Sequence, residues 1–114
     1  STILFGKAVL IDDDQEKIHG MKIISENLVK GRTDEVEIGT EAQLNATMVI
    51  KFTIESASAK MRSEGPMGDD DILDKVWSGV IPLTIKALEP IQDQKFGTTL
   101  DMSKSVKQYY EKNR

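Results

Sequence analysis

Two apolar segments with strand-like patterns, residues 47–54 and 76–83, constrain the fold of this chain most. From Met48 to Ile54 apolar and polar side chains alternate, which predicts a strand with one buried face. The second segment, VWSGVIPL, contains the only tryptophan of the chain, Trp77, and also Pro82. Because proline has no N–H to donate to a ladder, we expect this strand at a sheet edge or with a bulge. The two segments together predict a mainly β fold.

A polar bend joins the two predicted strands. It reads ESASAKMRSEGP and ends in a glycine–proline turn. Lys60 and Arg62 are two residues apart, so they project to the same side of an extended chain, together with Ser58. Two cations and a hydroxyl directed at one volume suit a planar, phosphorylated ligand. The alternative is a solvated strand end in which Glu55 and Glu64 pair with the cations, and the spacing alone favours this alternative.

The N-terminal part of the chain predicts a strand followed by a helix. Residues 3–11 are apolar on both faces apart from Gly6 and Lys7, which predicts a central strand. The three aspartates at 12–14 offer N-caps for a helix, and Gly31 is expected to end it. Gly20 weakens this helix by about 1 kcal/mol relative to alanine, so we expect a close approach there. The apolar face of the helix comprises Ile18, Met21, Ile24 and Leu28.

Two further helices are predicted, both on capping signals. Thr40 and Gln43 have the spacing of a capping box, which predicts a short helix that ends near Ala46. Asp101 or Ser103 is expected to cap a terminal helix.

Composition limits the classes of function that are open to the chain. Its 114 residues suffice for one domain with a core, and 39% hydrophobic with 30% charged residues indicates a globular chain. With 15 basic and 19 acidic residues the net charge is −4, so we expect neither nucleic acid nor an anionic membrane as a partner. No apolar run approaches the roughly 18 residues that span a bilayer.

Residue types and motifs narrow the chemistry further. Cysteine is absent, which excludes disulfides, thiolate metal sites and cysteine nucleophiles and fits the cytoplasm, where we expect the protein. His19 is the only histidine, and neither aspartate triplet, at 12–14 or 69–71, has the alternating spacing of an EF-hand loop. We therefore predict no metal site. Nucleophile, dinucleotide and P-loop motifs are absent as well, and no catalytic residue is identified.

The order of these segments resembles one known family. The strand followed by ESASAKMRSEGP, an acidic stretch and VWSGVIPL is similar to the pyridoxamine 5′-phosphate oxidase-like FMN-binding split barrels. Within that family it resembles the flavin-nucleotide-binding proteins, near the nitroimidazole-resistance proteins. STILFGKAVLIDDDQEK and KGRTDEVEIGTEAQLNAT fit the same family in the same order. The resemblance covers about residues 1–93 and leaves 94–114 as a tail that is helical in part.

The resemblance implies an α+β fold, mainly β with helices, that forms the C-terminal portion of an FMN-binding split β-barrel. Members of the family place FMN at the subunit interface, and their N-terminal half supplies strands and phosphate contacts. We therefore expect a homodimer, with strand edges covered by further sequence, a companion chain or a second copy. In this picture Ser58, Lys60 and Arg62 contact phosphate or ring oxygens of FMN, and Trp77 packs near the ring. A core or interface position is the alternative for Trp77.

The functional hypothesis is FMN binding, with redox chemistry carried out by the flavin on a small-molecule substrate. The RLHDR-like substrate segment of pyridoxamine phosphate oxidases is not present, so a reductase for a small electron-poor substrate is the expected enzymatic role. One alternative is a non-catalytic flavin- or haem-binding dimeric module, and another is an inactive fragment of a longer flavoprotein. The sequence identifies neither the substrate nor the electron donor.

Overall fold

Two strands and three α-helices make up the regular structure of the residues described. The structure is a computed structural model that describes residues 1–68, 70 and 74–114. In chain order the elements are β1 (Thr2–Leu10), α1 (Asp14–Leu28), a 3-10 helix (Arg32–Asp34), α2 (Glu41–Ala46), β2 (Ile50–Ala59) and α3 (Lys104–Asn113). The chain is therefore α+β with a two-stranded sheet, and two strands do not by themselves make a barrel.

The two strands pair with each other in antiparallel fashion. Ser1 and Lys60 exchange two N–H···O bonds of 2.8 Å, and the Ile11 N–H donates to the Val49 carbonyl at 2.9 Å. Residue numbers thus rise along one strand while they fall along the other. The prediction that β1 is central is wrong, because each strand has one neighbour within the described part of the chain. Both faces of β1 remain exposed.

Residues 77–85 form no strand, so the prediction of a third strand there is wrong. A strand requires a neighbour that accepts and donates ladder hydrogen bonds, and these residues have none among the described ones. Their apolar side chains are in contact with solvent: Leu83 is 91% and Ile85 98% exposed. The alternating pattern gives the segment a preference for extended backbone, but it does not supply the partner.

Helix α1 begins where the sequence predicts and ends earlier. The Asp13 carboxylate accepts the Glu16 N–H at 2.8 Å and so caps the first turn. The helix ends at Leu28 rather than beside Gly31, which adopts φ 87° and precedes the 3-10 helix. Because glycine has no Cβ, it enters this left-handed conformation without the steric cost that another residue carries.

Helices α2 and α3 also follow their capping signals. Thr40 and Gln43 form the predicted capping box, and α2 ends at Ala46 as expected. Ser103 occupies the N-cap of α3, which confirms a terminal helix, although its own hydroxyl does not cap the backbone. No helix among the described residues is long and apolar enough to cross a membrane.

Helix α1 packs closely against Val49 at Gly20, a residue without a side chain. A Cβ on Gly20 would lie 3.1 Å from a methyl group of Val49, which is only 7% exposed, so the predicted close approach is confirmed. The Lys17 ammonium donates to the Leu44 carbonyl and ties α1 to α2. The predicted apolar face of α1 is covered only in its first half: Ile18 and Met21 are half-buried, whereas Ile24 and Leu28 are exposed.

The chain divides into two compact units. Unit 1 comprises residues 1–6 and 54–84, and unit 2 comprises residues 7–53 and 85–114. All three helices belong to unit 2. The predicted division into residues 1–93 and 94–114 follows a family resemblance rather than packing, and it stays a prediction.

Candidate functional site

The four residues predicted to bind a ligand all lie in unit 1. Ser58 belongs to β2, Lys60 follows the last residue of that strand, and Arg62 lies two residues further on. The backbone of Lys60 is fixed by its two 2.8 Å hydrogen bonds with Ser1, so its side chain leaves from an anchored strand end. No hydrogen bond or ion pair joins the four side chains to one another within the described residues. Their assignment as one site therefore stays a prediction.

The two cations of the predicted site are exposed. Neither Lys60 nor Arg62 forms a salt bridge with a residue that the structure describes, Glu64 included. Two cations two residues apart, without such partners, are available to bind an anion. The predicted solvated turn at Asp69-Asp70-Asp71 lies partly outside the described residues, because Asp69 and Asp71 are not among them.

Trp77 presents most of its indole surface to solvent. It is 81% exposed, so it does not form part of a core in this chain. The ring lies close over Gly79: a Cβ added there would lie 2.8 Å from two atoms of the six-membered ring. The position of the indole thus depends on the absence of a side chain at residue 79. The remaining surface is open to a planar ligand or to another protein surface.

Unit 2 contains a polar cluster that the sequence did not reveal. The Glu35 carboxylate accepts from the Ser105 hydroxyl at 2.6 Å, from the Ser105 N–H at 2.8 Å and from Arg32 at 3.1 Å. Glu35, the residue that follows the 3-10 helix, therefore caps the first turn of α3 in place of the Ser103 hydroxyl. The two hydrogen bonds from Ser105, the hydroxyl first, lower the pKa of Glu35 to about 2. Ser105 itself is 2% exposed.

A second carboxylate fixes the turn after α1. Glu26 accepts from the Gly31 N–H at 2.9 Å and from both the N–H and the hydroxyl of Thr33. These hydrogen bonds, that of Gly31 first, hold the pKa of Glu26 below its ordinary value. Neither Glu26 nor Glu35 belongs to a recognisable motif. Their partners are defined only by the folded turn and, for Glu35, by a residue 70 positions away.

The two carboxylates border a groove of about 710 Å³ between the end of α1 and α3. It lies entirely in unit 2, and none of the predicted site residues lines it. Its lining residues are mostly polar or charged, with Leu28 and Tyr109 as the large apolar and aromatic members: Glu26, Asn27, Leu28, Lys30, Gly31, Asp34, Glu35, Lys104, Ser105, Gln108, Tyr109, Lys112 and Asn113.

Comparison with known proteins finds relatives at the level of structure. No protein-family model matches the sequence, and neither does any curated protein. The FAD and haem binding protein from Mycobacterium smegmatis matches with a TM-score of 0.75 and 26% identity. The flavocytochrome Anf3 from Azotobacter vinelandii matches with a TM-score of 0.78 and 27% identity.

Each match covers almost all of this chain but only part of the other. The alignments include 95% of this chain, against 54% of the M. smegmatis protein and 51% of Anf3. The chain thus spans about half the length of the solved structures that it matches, and over that half it is similar in fold to one FAD- and haem-binding protein and one flavocytochrome.

Proposed function

We propose that this chain binds a flavin. The observation that carries the proposal is the likeness over 95% of the chain to two solved proteins that both carry a flavin by name. The sequence resemblance to the FMN-binding split barrels leads to the same class of cofactor by an independent route. The chain spans about half of each relative, so any activity that it shares with the complete relatives is a proposal.

Unit 1 supplies the residues that suit a flavin. Lys60 and Arg62 lie at an anchored strand end and form no ion pair with a described residue, and the Ser58 hydroxyl precedes them on β2. A flavin nucleotide offers phosphate oxygens and ring carbonyls to such donors. The exposed indole of Trp77 offers a flat apolar surface of the kind on which an isoalloxazine ring packs.

The expected form of the flavin is FMN. FAD contains the same ring system, ribityl chain and first phosphate, so cations that bind one form suit the other. The FAD of the M. smegmatis protein is consistent with this shared recognition. Parallel titrations with FMN and FAD decide between them: equal affinities indicate that only the shared part is bound, whereas tighter FAD binding indicates further contacts to the adenosine.

The proposal includes a homodimer built as a split barrel. Each strand of the two-stranded sheet leaves one edge unpaired within the described residues, and unpaired edges pair readily with another chain. Apolar side chains of unit 1, among them Phe5, Ile54 and Leu83, are exposed. A second copy that adds strands would cover both the unpaired strand edges and these apolar side chains. Light scattering after gel filtration should give twice the mass of the chain, and a monomer with and without flavin would contradict this part.

The proposed activity is flavin-dependent oxidation or reduction of a small molecule. When bound, the flavin supplies hydride or electron transfer, and the residues of the chain bind and orient it. A nicotinamide donor oxidised in the presence of bound flavin supports an enzyme, and a donor that stays reduced supports a non-catalytic flavin module. The name of the M. smegmatis protein favours haem as a second ligand. His19 is the only imidazole that this chain offers to haem iron, so haem titration of wild type and His19→Ala tests that alternative.

The experiment that tests the site is a flavin titration followed by the loss of flavin fluorescence. Lys60→Ala and Arg62→Ala should each weaken binding about tenfold, the loss of one charge-assisted hydrogen bond of roughly 1.5 kcal/mol. Lys86→Ala replaces an exposed lysine of unit 2 that forms no ion pair with a described residue; it is the matched control and should bind as wild type does. Unchanged affinity in both variants would place the phosphate elsewhere.

A further inference from the structure

The groove in unit 2 is a candidate ligand site that the flavin proposal does not use. Gly31 and Ser105 both line it and lie near each other, since a Cβ added to Gly31 would lie 3.8 Å from that of Ser105. The volume of about 710 Å³ falls within the range of roughly 300–1,000 Å³ that is typical of small-molecule sites. The hydrogen bonds of Glu26 and Glu35 fix both the turn and the helix that border it. The groove is therefore largely preformed.

One wall of the groove is a polar stripe along α3. Lys104, Gln108 and Lys112 follow one another at intervals of four residues, which places them on one side of the helix. The two lysines are ~12 Å apart along the helix axis at 1.5 Å per residue. Lys30 contributes a third ammonium group, from the segment after α1.

The acidic residues of the groove do not neutralise these lysines by direct pairing. Glu35 is engaged by Ser105 and Arg32, and Glu26 by Gly31 and Thr33. Asp34 is the remaining carboxylate of the lining. Lys104 and Lys112 form no ion pair with any residue in the part of the chain that the structure describes. Lys104 and Lys112 therefore keep their ammonium groups free of direct ion pairs in that part of the chain, whereas the charge of Lys30 acts on Glu26 and helps to lower its pKa.

The groove also has an apolar surface suited to a ring. Leu28 and Tyr109 both line it, and both are exposed. We propose that the groove binds a small organic anion that carries an aromatic ring, with its phosphate or carboxylate held by Lys104 and Lys112 and its ring against Tyr109 and Leu28. This site uses no residue of unit 1, so it is independent of the proposed flavin site.

Phenyl phosphate is the probe, titrated against the ¹⁵N-labelled protein by NMR. Saturable shifts should be concentrated on the amides of Gly31, Ser105 and α3, and the double variant Lys104→Gln/Lys112→Gln should bind at least tenfold more weakly. Lys107→Gln, on the same helix but outside the groove, is the matched control and should bind as wild type does. The NMR spectra of both variants without ligand show directly whether the fold is retained.

Two simpler ligands separate the parts of the proposal. Inorganic phosphate has the charge without the ring, benzyl alcohol has the ring without the charge, and each should bind more weakly than phenyl phosphate. Binding of phenyl phosphate that is equal in the double variant and in wild type would overturn the proposal, as would the absence of saturable shifts. Binding should persist in Lys60→Ala/Arg62→Ala, so failure of the flavin site and failure of the groove give different results.

Discussion

The two units of this chain differ in how their side chains are used. In unit 2 buried or half-buried polar groups find partners inside the unit: Glu35 with Ser105, and Glu26 with Thr33. In unit 1 the strand ends are joined through backbone hydrogen bonds of Ser1 and Lys60. Large apolar side chains are exposed in both units, for example Leu83 in unit 1 and Ile91 in unit 2. Unit 2 thus fixes polar side chains by contacts of its own, whereas the predicted site residues of unit 1 are exposed.

This difference separates the residues that determine stability from those that are available for binding. Buried contacts and satisfied hydrogen bonds resist unfolding, so substitutions in unit 2 should act on stability. Exposed cations and an exposed indole contribute little to folding, so substitutions of Lys60, Arg62 or Trp77 should act on ligand affinity. Three substitutions test this separation, in order of decreasing effect.

The largest effect is expected at Gly39 of unit 2. Its φ is 96°, and a Cβ there would lie 2.5 Å from the side chain of Ile18, so Gly39→Ala combines backbone strain with overpacking. We expect a loss of about 2–4 kcal/mol in the free energy of unfolding, measured by urea denaturation followed by circular dichroism. Gly65→Ala in unit 1 is the control, because nothing lies within 4 Å of the added atom. A similar loss in both variants would remove the distinction between the units.

Next in size is the effect of acid on the Glu35 contact. The pKa of Glu35 is lowered from 4.5 to about 2 by its hydrogen bonds, so the ionised carboxylate stabilises the fold. This contribution is fully present above pH 4.5 and is lost as the pH falls toward 2, where the folded protein also takes up the proton. The protection of the α3 amides, the intrinsic exchange rate at each pH divided by the measured rate, should therefore fall over that interval in wild type.

The variant Glu35→Gln should show low amide protection in α3 already at neutral pH and little further loss of protection on acidification. Glu37→Gln is the matched control, since Glu37 is exposed, lies two residues away and forms no ion pair with a described residue. Wild-type and Glu35→Gln profiles that coincide between pH 2 and 7 would show that this carboxylate does not hold α3.

The smallest effect on stability is expected at Gly79 of unit 1. A methyl group there would lie 2.8 Å from the ring of Trp77, and the exposed ring can move away at low cost. Gly79→Ala should change the free energy of unfolding by less than about 0.5 kcal/mol. Because it displaces the indole, it should nevertheless weaken flavin binding several-fold, while Gly68→Ala should not. Loss of stability without loss of affinity would reverse the roles assigned to the two units.

The sequence predicts the local elements well and the long-range contacts poorly. Capping signals at Asp13 and at Thr40 with Gln43 identify the starts of two helices, because caps depend on residues three positions apart. The prediction of a third strand is wrong because the alternating pattern of residues 77–85 indicates a preference for extended backbone but not the presence of a neighbouring strand. Glu35 escapes prediction because its partner, Ser105, is brought to it only by folding.

Spacing and family resemblance predict a flavin site that consists of Ser58, Lys60, Arg62 and Trp77. The structure adds that all four lie in unit 1, that both cations lack ion pairs among the described residues, and that the indole is exposed. Lys60 and Arg62 are related by their spacing of two residues, but no such spacing relates either of them to Trp77. No local pattern therefore predicts a ligand position between the two cations and the indole. The sequence does not predict the groove from its lysines, because exposed lysines at four-residue spacing are common on helices.

The most direct test of flavin binding by unit 1 is the emission of Trp77 during a titration with FMN and, separately, with FAD. Trp77 is the only tryptophan, so all tryptophan emission that a bound flavin quenches comes from this one residue of unit 1. We predict saturable quenching that ends at one flavin per chain and is weakened in Lys60→Ala/Arg62→Ala. Tryptophan emission that stays unchanged while flavin fluorescence is quenched would place the flavin away from Trp77, and no quenching of either signal would contradict flavin binding by this chain.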